Sequence, residues 1–208
     1  MKNSFHYGQD RLTASLALAI CRGNITGIIS TESREKIKAS SQAVEKIVSK
    51  GQPVYGINTG FGPLCTTMIS PEQTKKLQEN LLKSHAVGLG EPIPIEIAKL
   101  MLVLKTHALA QGFSGIQEST LDRIHFFIEN NIVPVVPKQG SVGASGDLAP
   151  LSHLFLPLIG LGKVHFKGEI ISSAKLFQQL DLEPSVLLDL RHHHLYRYAD
   201  ACGSDVVH

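Results

Sequence analysis

Three stretches of this chain hold residues whose types and spacing can do chemistry. The densest is Gly140-Ser141-Val142-Gly143-Ala144-Ser145-Gly146-Asp147-Leu148-Ala149-Pro150, with two serines and an aspartate set among three glycines. Glycine accepts backbone angles and close approaches that other residues resist. Such a run is either a tight, chemically used turn or an ordinary flexible loop. The second stretch is Val54-Tyr55-Gly56-Ile57-Asn58-Thr59-Gly60-Phe61-Gly62-Pro63. It is either a loop packed around its aromatic or one that presents Tyr55 and several backbone amides to a cavity. The third is Ser84-His85, just ahead of Gly88 and Gly90. A histidine there either favours the negative end of a helix dipole or is a polar group pointed at a ligand.

Several chemistries are excluded by spacing. The glycines at 56, 60 and 62 are not in dinucleotide-binding order, and no Gly-Lys-Ser/Thr ends that loop as in a phosphate-binding loop. A hydrolase nucleophile elbow needs Gly-x-Ser-x-Gly, whereas here a glycine directly follows Ser145. Cys21, Cys65 and Cys202 are widely spaced and make neither a zinc pattern nor a disulfide framework. The adjacent His192, His193 and His194 point in different directions on any regular element, so no metal site is expected. Lys and Arg total 20 against 18 for Asp and Glu, which gives no argument for a nucleic-acid partner. With 208 residues, 43% hydrophobic and 18% charged, the chain reads as globular, with enough length for one or two domains. Met1 to Gly8 lacks the apolar run of a signal peptide. The longest nearly uncharged stretch, Leu148 to Gly162, is too short for a bilayer span and carries two prolines. No membrane partner is expected, and a reducing, cytoplasmic setting is the simpler fit to the cysteines.

The elements that must position these stretches are mostly helical. Leu12 to Cys21 is open between short helix and strand. Ser30 caps a helix with Glu32 and Glu35 in its first turns and Ile37, Ser41, Val44 and Val48 on one face. Ser70-Pro71-Glu72-Gln73 is a helix start, with serine capping and proline at the first helical position. That helix runs to about Ala86, with Leu77 and Leu81 on one face, and delivers Ser84 and His85 to its end. Pro94 opens a helix from about Ile95 to Gln111, with Ile97, Leu100, Met101, Leu104 and Ala108 on a broad apolar face. Glu118 to Asn130 is another, with Leu121, Ile124, Phe127 and Ile128 at matching offsets. A helix over Leu151 to Leu161 is expected to bend at Pro157. Gly162 to Ile170 has the alternation of a hairpin, and Ser173 to Leu180 reads as a last helix. The fold class is mainly α. A loop-rich α(+β) amino-terminal region spans 1–110 and the first part of a central helical bundle spans 111–184. A divergent, irregular tail is expected over 185–208.

In combination and in order, the blocks Tyr55 to Gly62, Ser84 to Gly88 and Gly140 to Leu151 resemble the amino-terminal part of the aromatic amino acid lyases, in their histidine-directed form. The resemblance implies that Ala144-Ser145-Gly146 matures without external cofactor into a 4-methylidene-imidazol-5-one. In the family the Gly146 amide nitrogen attacks the Ala144 carbonyl, the ring loses water, and Ser145 loses its hydroxyl to become an exocyclic methylene. Gly143 and Asp147 shape the turn, with Asp147 either helping the dehydration or orienting the loop. Tyr55 matches the tyrosine that removes the β-proton. Ser84-His85 matches the histidine-specific form at the selectivity position, where phenylalanine-directed relatives carry Phe-Leu and tyrosine-directed ones His-Leu. The implied reaction takes L-histidine to trans-urocanate and ammonia, a carbon-nitrogen lyase step in histidine catabolism. Full-length relatives are homotetramers whose sites draw residues from three subunits. The alternatives are a tyrosine- or phenylalanine-directed lyase or aminomutase, or a catalytically silent helical fragment that binds a partner.

The resemblance covers roughly residues 5–184 and then fails. The Asn-Gly-Thr-Gln that follows in relatives occurs nowhere in the chain, and Leu190 to Gly203 matches nothing in the family's pattern. This is the pattern of a truncated or frameshifted product, expected to be weak or inactive in isolation. A smaller departure is Lys105-Thr106-His107, where relatives more often show Arg-Ala-Asn.

Overall fold

The computed structural model describes residues 4–51, 54, 59, 71–142 and 147–183. Tyr55, Gly143, Ala144, Ser145, Gly146 and the tail over 185–208 lie outside the described residues. Within them the chain forms seven α-helices and seven short strands, in keeping with a mainly α class.

The amino-terminal region is a small β-α-β unit. Strand β1 (Ser4–His6) runs parallel to β2 (Thr26–Ile28), with Phe5 opposite Gly27. The connecting segment, open between helix and strand from its sequence, is helix α1 (Ala14–Cys21). Its start is decided by Thr13, whose hydroxyl accepts the Leu16 amide at 3.3 Å. Helix α2 (Thr31–Ser49) begins at the predicted cap, with Ser30 accepting the Ser33 amide at 3.1 Å, and buries Ile37 and Val44. Arg34 on α2 holds Glu118 at 2.5 Å and Asp122 at 2.8 Å, both on α5 (Glu118–Glu129), and these carboxylates raise its already high pKa.

Helix α3 (Pro71–His85) leads through β3 (Leu89–Pro92) into α4 (Ile95–Leu109). Among the described side chains of α3 the buried ones are Gln78 and Leu82, while Leu77 and Leu81 are only half-buried. Helix α4 crosses the middle of the core, and here the expected face is corrected. Ile97 and Leu104 are 45% and 47% exposed, while Ala98, Leu102, Val103, Thr106 and Leu109 are buried. The helix is apolar on nearly every side, so its periodicity does not select one face. Thr106 is accommodated by donating to the Leu102 carbonyl at 2.8 Å. On α5 the buried side is the predicted one: Leu121, Ile124, Phe127 and Ile128.

Strands β4 (Val133–Pro134) and β5 (Pro137–Gln139) follow α5. The next helix, α6 (Leu148–Phe155), starts three residues earlier than its sequence suggests, because Pro150 fits inside the first turn instead of preceding it. At Leu156 it passes into a 3-10 turn over Leu156–Ile159 that contains Pro157. The expected hairpin is present as β6 (Lys163–Phe166) and β7 (Glu169–Ser172), antiparallel with Val164 opposite Ile171. Its two-residue connection, Lys167-Gly168, has φ of 51° and 84°, the positive angles that match a tight hairpin to strand twist. Strand β4 adds to β6, and α7 (Ser173–Leu180) closes over this sheet with Leu176 and Phe177 buried. One cluster of buried side chains runs from Phe5 and Tyr7 through Leu102, Phe127 and Phe155 to Leu176.

Candidate active site

His85 stands in the last residue of α3, where the sequence places it. Its Nδ1 lies 2.8 Å from the Leu81 carbonyl. A carbonyl oxygen only accepts, so Nδ1 carries the proton, and in a neutral ring Nε2 is the accepting nitrogen. The backbone of the helix thus sets both the orientation and the tautomer of this imidazole.

The segment that leaves His85 turns directly onto the flanks of the Gly140–Pro150 stretch. Strand β3 pairs antiparallel with β5, with Leu89 opposite Gln139. The Gly88 amide donates to His153 Nε2, on α6, at 2.9 Å. Gly140, with φ +133°, has its α-carbon against Gly88 and Ala149, so that a Cβ there would meet Gly88 Cα at 3.0 Å and Ala149 Cβ at 3.3 Å. Only glycine suits that combination of angle and contact. Asp147 begins α6 in a left-handed conformation, φ 58° and ψ 40°, and its side chain makes no capping bond. It accepts instead a short hydrogen bond from Ser141 Oγ. Positive φ at a non-glycine residue stores strain.

The structure therefore brings together two of the three chemistry-bearing stretches, one at Ser84–Gly88 and the other at the described flanks of the 140–150 stretch. Tyr55, Gly143, Ala144, Ser145 and Gly146 lie outside the described residues. Among the described residues no group of three or more His, Cys, Asp or Glu side chains is arranged to hold a metal ion. His153 was missed by the sequence reading. A lone histidine in an apolar helix carries no signal for the backbone amide it accepts from 65 residues away.

Burial lowers His153, His107 and His165 below the ordinary histidine range, with Asp10 partly opposing this at His107. The first two accept backbone amides, His107 Nδ1 from Gly8 at 3.2 Å, so the fold uses their neutral rings. The unfolded chain takes up these protons near pH 6.5, and the folded chain only at lower pH. The contribution is thus fully present above about pH 6.5 and is lost as pH falls through the folded values. Urea midpoints measured from about pH 7.5 down to 5 should decline steadily below pH 6.5, and a flat profile would remove these histidines from the stability balance.

The chain belongs to the aromatic amino acid lyase family, whose model matches residues 12–189. Among individual proteins it is similar to histidine ammonia-lyase of Symbiobacterium thermophilum, 46% identical over 176 residues that make up 85% of this chain and 35% of that one. The crystal structure of histidine ammonia-lyase from Trypanosoma cruzi superposes with a TM-score of 0.83 at 34% identity, over 93% of this chain and 38% of that one. Tyrosine aminomutase from Streptomyces globisporus superposes with a TM-score of 0.84 at 28% identity, over 94% and 36%. The chain spans about a third of the length of the curated relatives it matches. Among the described residues no helix is long and apolar enough to cross a membrane.

Proposed function

We propose that this chain carries the electrophile-forming and substrate-selecting part of an ammonia-lyase that converts L-histidine to trans-urocanate and ammonia. One observation carries the reading. The segment after His85 is fastened to both flanks of the stretch that contains Ala144-Ser145-Gly146, through the Gly88–His153 bond and the β3–β5 pairing. That arrangement is what a selectivity residue beside an electrophile requires.

The flanks fit a 4-methylidene-imidazol-5-one made from the chain itself. On either side of Gly143-Ala144-Ser145-Gly146 stand a glycine at φ +133°, Gly140, and an aspartate at φ 58°, Asp147. Ring closure requires the Gly146 nitrogen to meet the Ala144 carbonyl carbon, and the small residues of this stretch offer no side chain that obstructs that approach. Closing the ring expels one water, and a second leaves as the Ser145 hydroxyl with its α-hydrogen. When mature, the group supplies an electrophile that none of the twenty side chains offers. The remaining roles belong to ordinary side chains. Tyr55 removes the β-proton, which requires a phenol more acidic than its usual value near 10 or a coupled proton acceptor. His85 recognises the substrate imidazole, with its ring oriented by the bond to the Leu81 carbonyl. Asp147, held by Ser141, fixes the exit of the turn. Gly143 gives the turn its freedom.

The tyrosine aminomutase superposes as well as the histidine enzyme, so the fold does not choose the substrate, and the case for histidine rests on Ser84-His85. Calorimetric titration of the purified chain should show L-histidine binding more tightly than L-phenylalanine or L-tyrosine. His85→Leu should weaken histidine about tenfold while leaving the other two unchanged. Equal loss for all three amino acids would remove His85 from selection. Urocanate formation, followed by absorbance, is expected to be slow or undetectable with this chain alone. Clear turnover would show that the 208 residues suffice.

A further inference from the structure

A cavity of about 200 Å³ opens beside the β1–β2 pair, between the turn after α1, the flank of α4 and the end of α5. None of its lining residues belongs to the lyase site. Three isoleucines, Ile20, Ile25 and Ile128, form an apolar wall, and Lys99, Arg22 and Tyr7 contribute the polar one.

Lys99 is the unusual member. It is only 8% exposed, yet its ammonium donates to one neutral acceptor, Asn131 Oδ1 at 2.5 Å, and forms no ion pair among the described residues. An ammonium has three N–H donors, and a buried cation without a counter-charge is a costly arrangement. Burial accordingly pushes Lys99 below its usual range, with Cys21 pulling weakly the other way. Arg22 engages Glu96 through Nε alone, at 2.7 Å, so the rest of its fork has no partner among the described residues. The Tyr7 hydroxyl is fully buried and has no hydrogen-bond partner among them either. Glu129 also lines the cavity, but it lies 3.7 Å from His125 Nε2 and does not pair with Lys99.

We propose that this cavity binds a small monocarboxylate with a short apolar body. The carboxylate meets the Lys99 ammonium and the outer nitrogens of Arg22, and Tyr7 turns its hydroxyl toward the same group. The body lies on Ile20, Ile25 and Ile128. The volume suits a molecule of roughly six to ten heavy atoms, well below drug-sized ligands. Inorganic phosphate is disfavoured, because it brings a second charge toward Glu129 and offers nothing to the isoleucines.

The test is calorimetric titration of the full chain with isovalerate, with inorganic phosphate and L-histidine as comparison ligands. Isovalerate should bind saturably, phosphate at least about tenfold more weakly, and a saturating concentration of L-histidine should not displace isovalerate. Lys99→Met should weaken isovalerate about tenfold, and Lys99→Arg should retain most of the affinity. Tyr7→Phe should weaken binding about threefold without lowering Tm, since it removes a hydroxyl that has no partner in the fold. Absence of saturable binding, equal affinity for phosphate, displacement by L-histidine, or unchanged affinity in Lys99→Met would overturn the proposal. Should Lys99→Met fail to fold, Tyr7→Phe and the exposed Arg22→Gln decide the matter, and unchanged affinity in both overturns it. Failure of the lyase reading leaves these outcomes unaffected.

Discussion

The Phe155→Ala variant is expected to unfold at a far lower urea concentration than the parent chain. Phe155 is the last residue of α6 and is completely buried in the shared core. Truncating a buried phenylalanine removes its transfer free energy and leaves a cavity that neighbours fill only in part, for about 3–5 kcal/mol. Against a total stability of about 5–15 kcal/mol for a native domain, that is a large share. With a slope of about 2 kcal/mol per molar urea, the midpoint should fall by roughly 1.5–2.5 M with the slope unchanged. Leu104→Ala is the control. It truncates a similarly apolar side chain on α4, but one that is 47% exposed, and should cost less than about 1 kcal/mol. Equal midpoints for the two variants would mean that α6 is not anchored through Phe155.

The second large effect concerns Ser145. If Ala144-Ser145-Gly146 matures as proposed, the purified chain weighs two waters less than its encoded mass, a deficit of about 36 Da. Ser145→Ala removes the hydroxyl that must leave, so no methylene can form. Intact mass spectrometry should then show at most the single water lost on ring closure. A parent chain at its full encoded mass would show that the described flanks alone do not drive maturation. A deficit of two waters surviving in Ser145→Ala would place the chemistry elsewhere in the chain.

Apart from α1, the helices themselves were legible from sequence, but the buried face of a helix was legible only where it carries one apolar stripe. On α5 the residues Leu121, Ile124, Phe127 and Ile128 recur at helical spacing, and all four are buried. The β6–β7 hairpin was equally plain, because alternation and the Lys167-Gly168 turn agree. On α4 the apolar residues surround the helix, and the buried side includes Lys99 and Lys105, which average preferences would place outside. The start of α6 was set at Leu151, three residues late, although Pro150 suits a first helical turn and Asp147 stands just before it. At the site, the position of His85 at the end of α3 followed from local patterning. The approach of that helix end to α6 depends on a Gly88–His153 bond that spans 65 residues, and periodicity holds no information at that distance. The roles of Tyr55, Ala144, Ser145 and Gly146 came from the family resemblance and remain proposals.

The β1–β2 pair has a consequence for how the chain acquires its shape during synthesis. Phe5 and Tyr7 pack against the rings of His107 and His125, which are encoded about a hundred residues later. At ribosomal rates of about 5–20 residues per second, the amino-terminal aromatics wait roughly 5–25 s before their partners exist. Throughout that interval β1 can pair with β2 and still lack a floor. Residues made early in this unit are therefore sealed late, and a chaperone that meets the nascent chain would find Phe5 and Tyr7 uncovered.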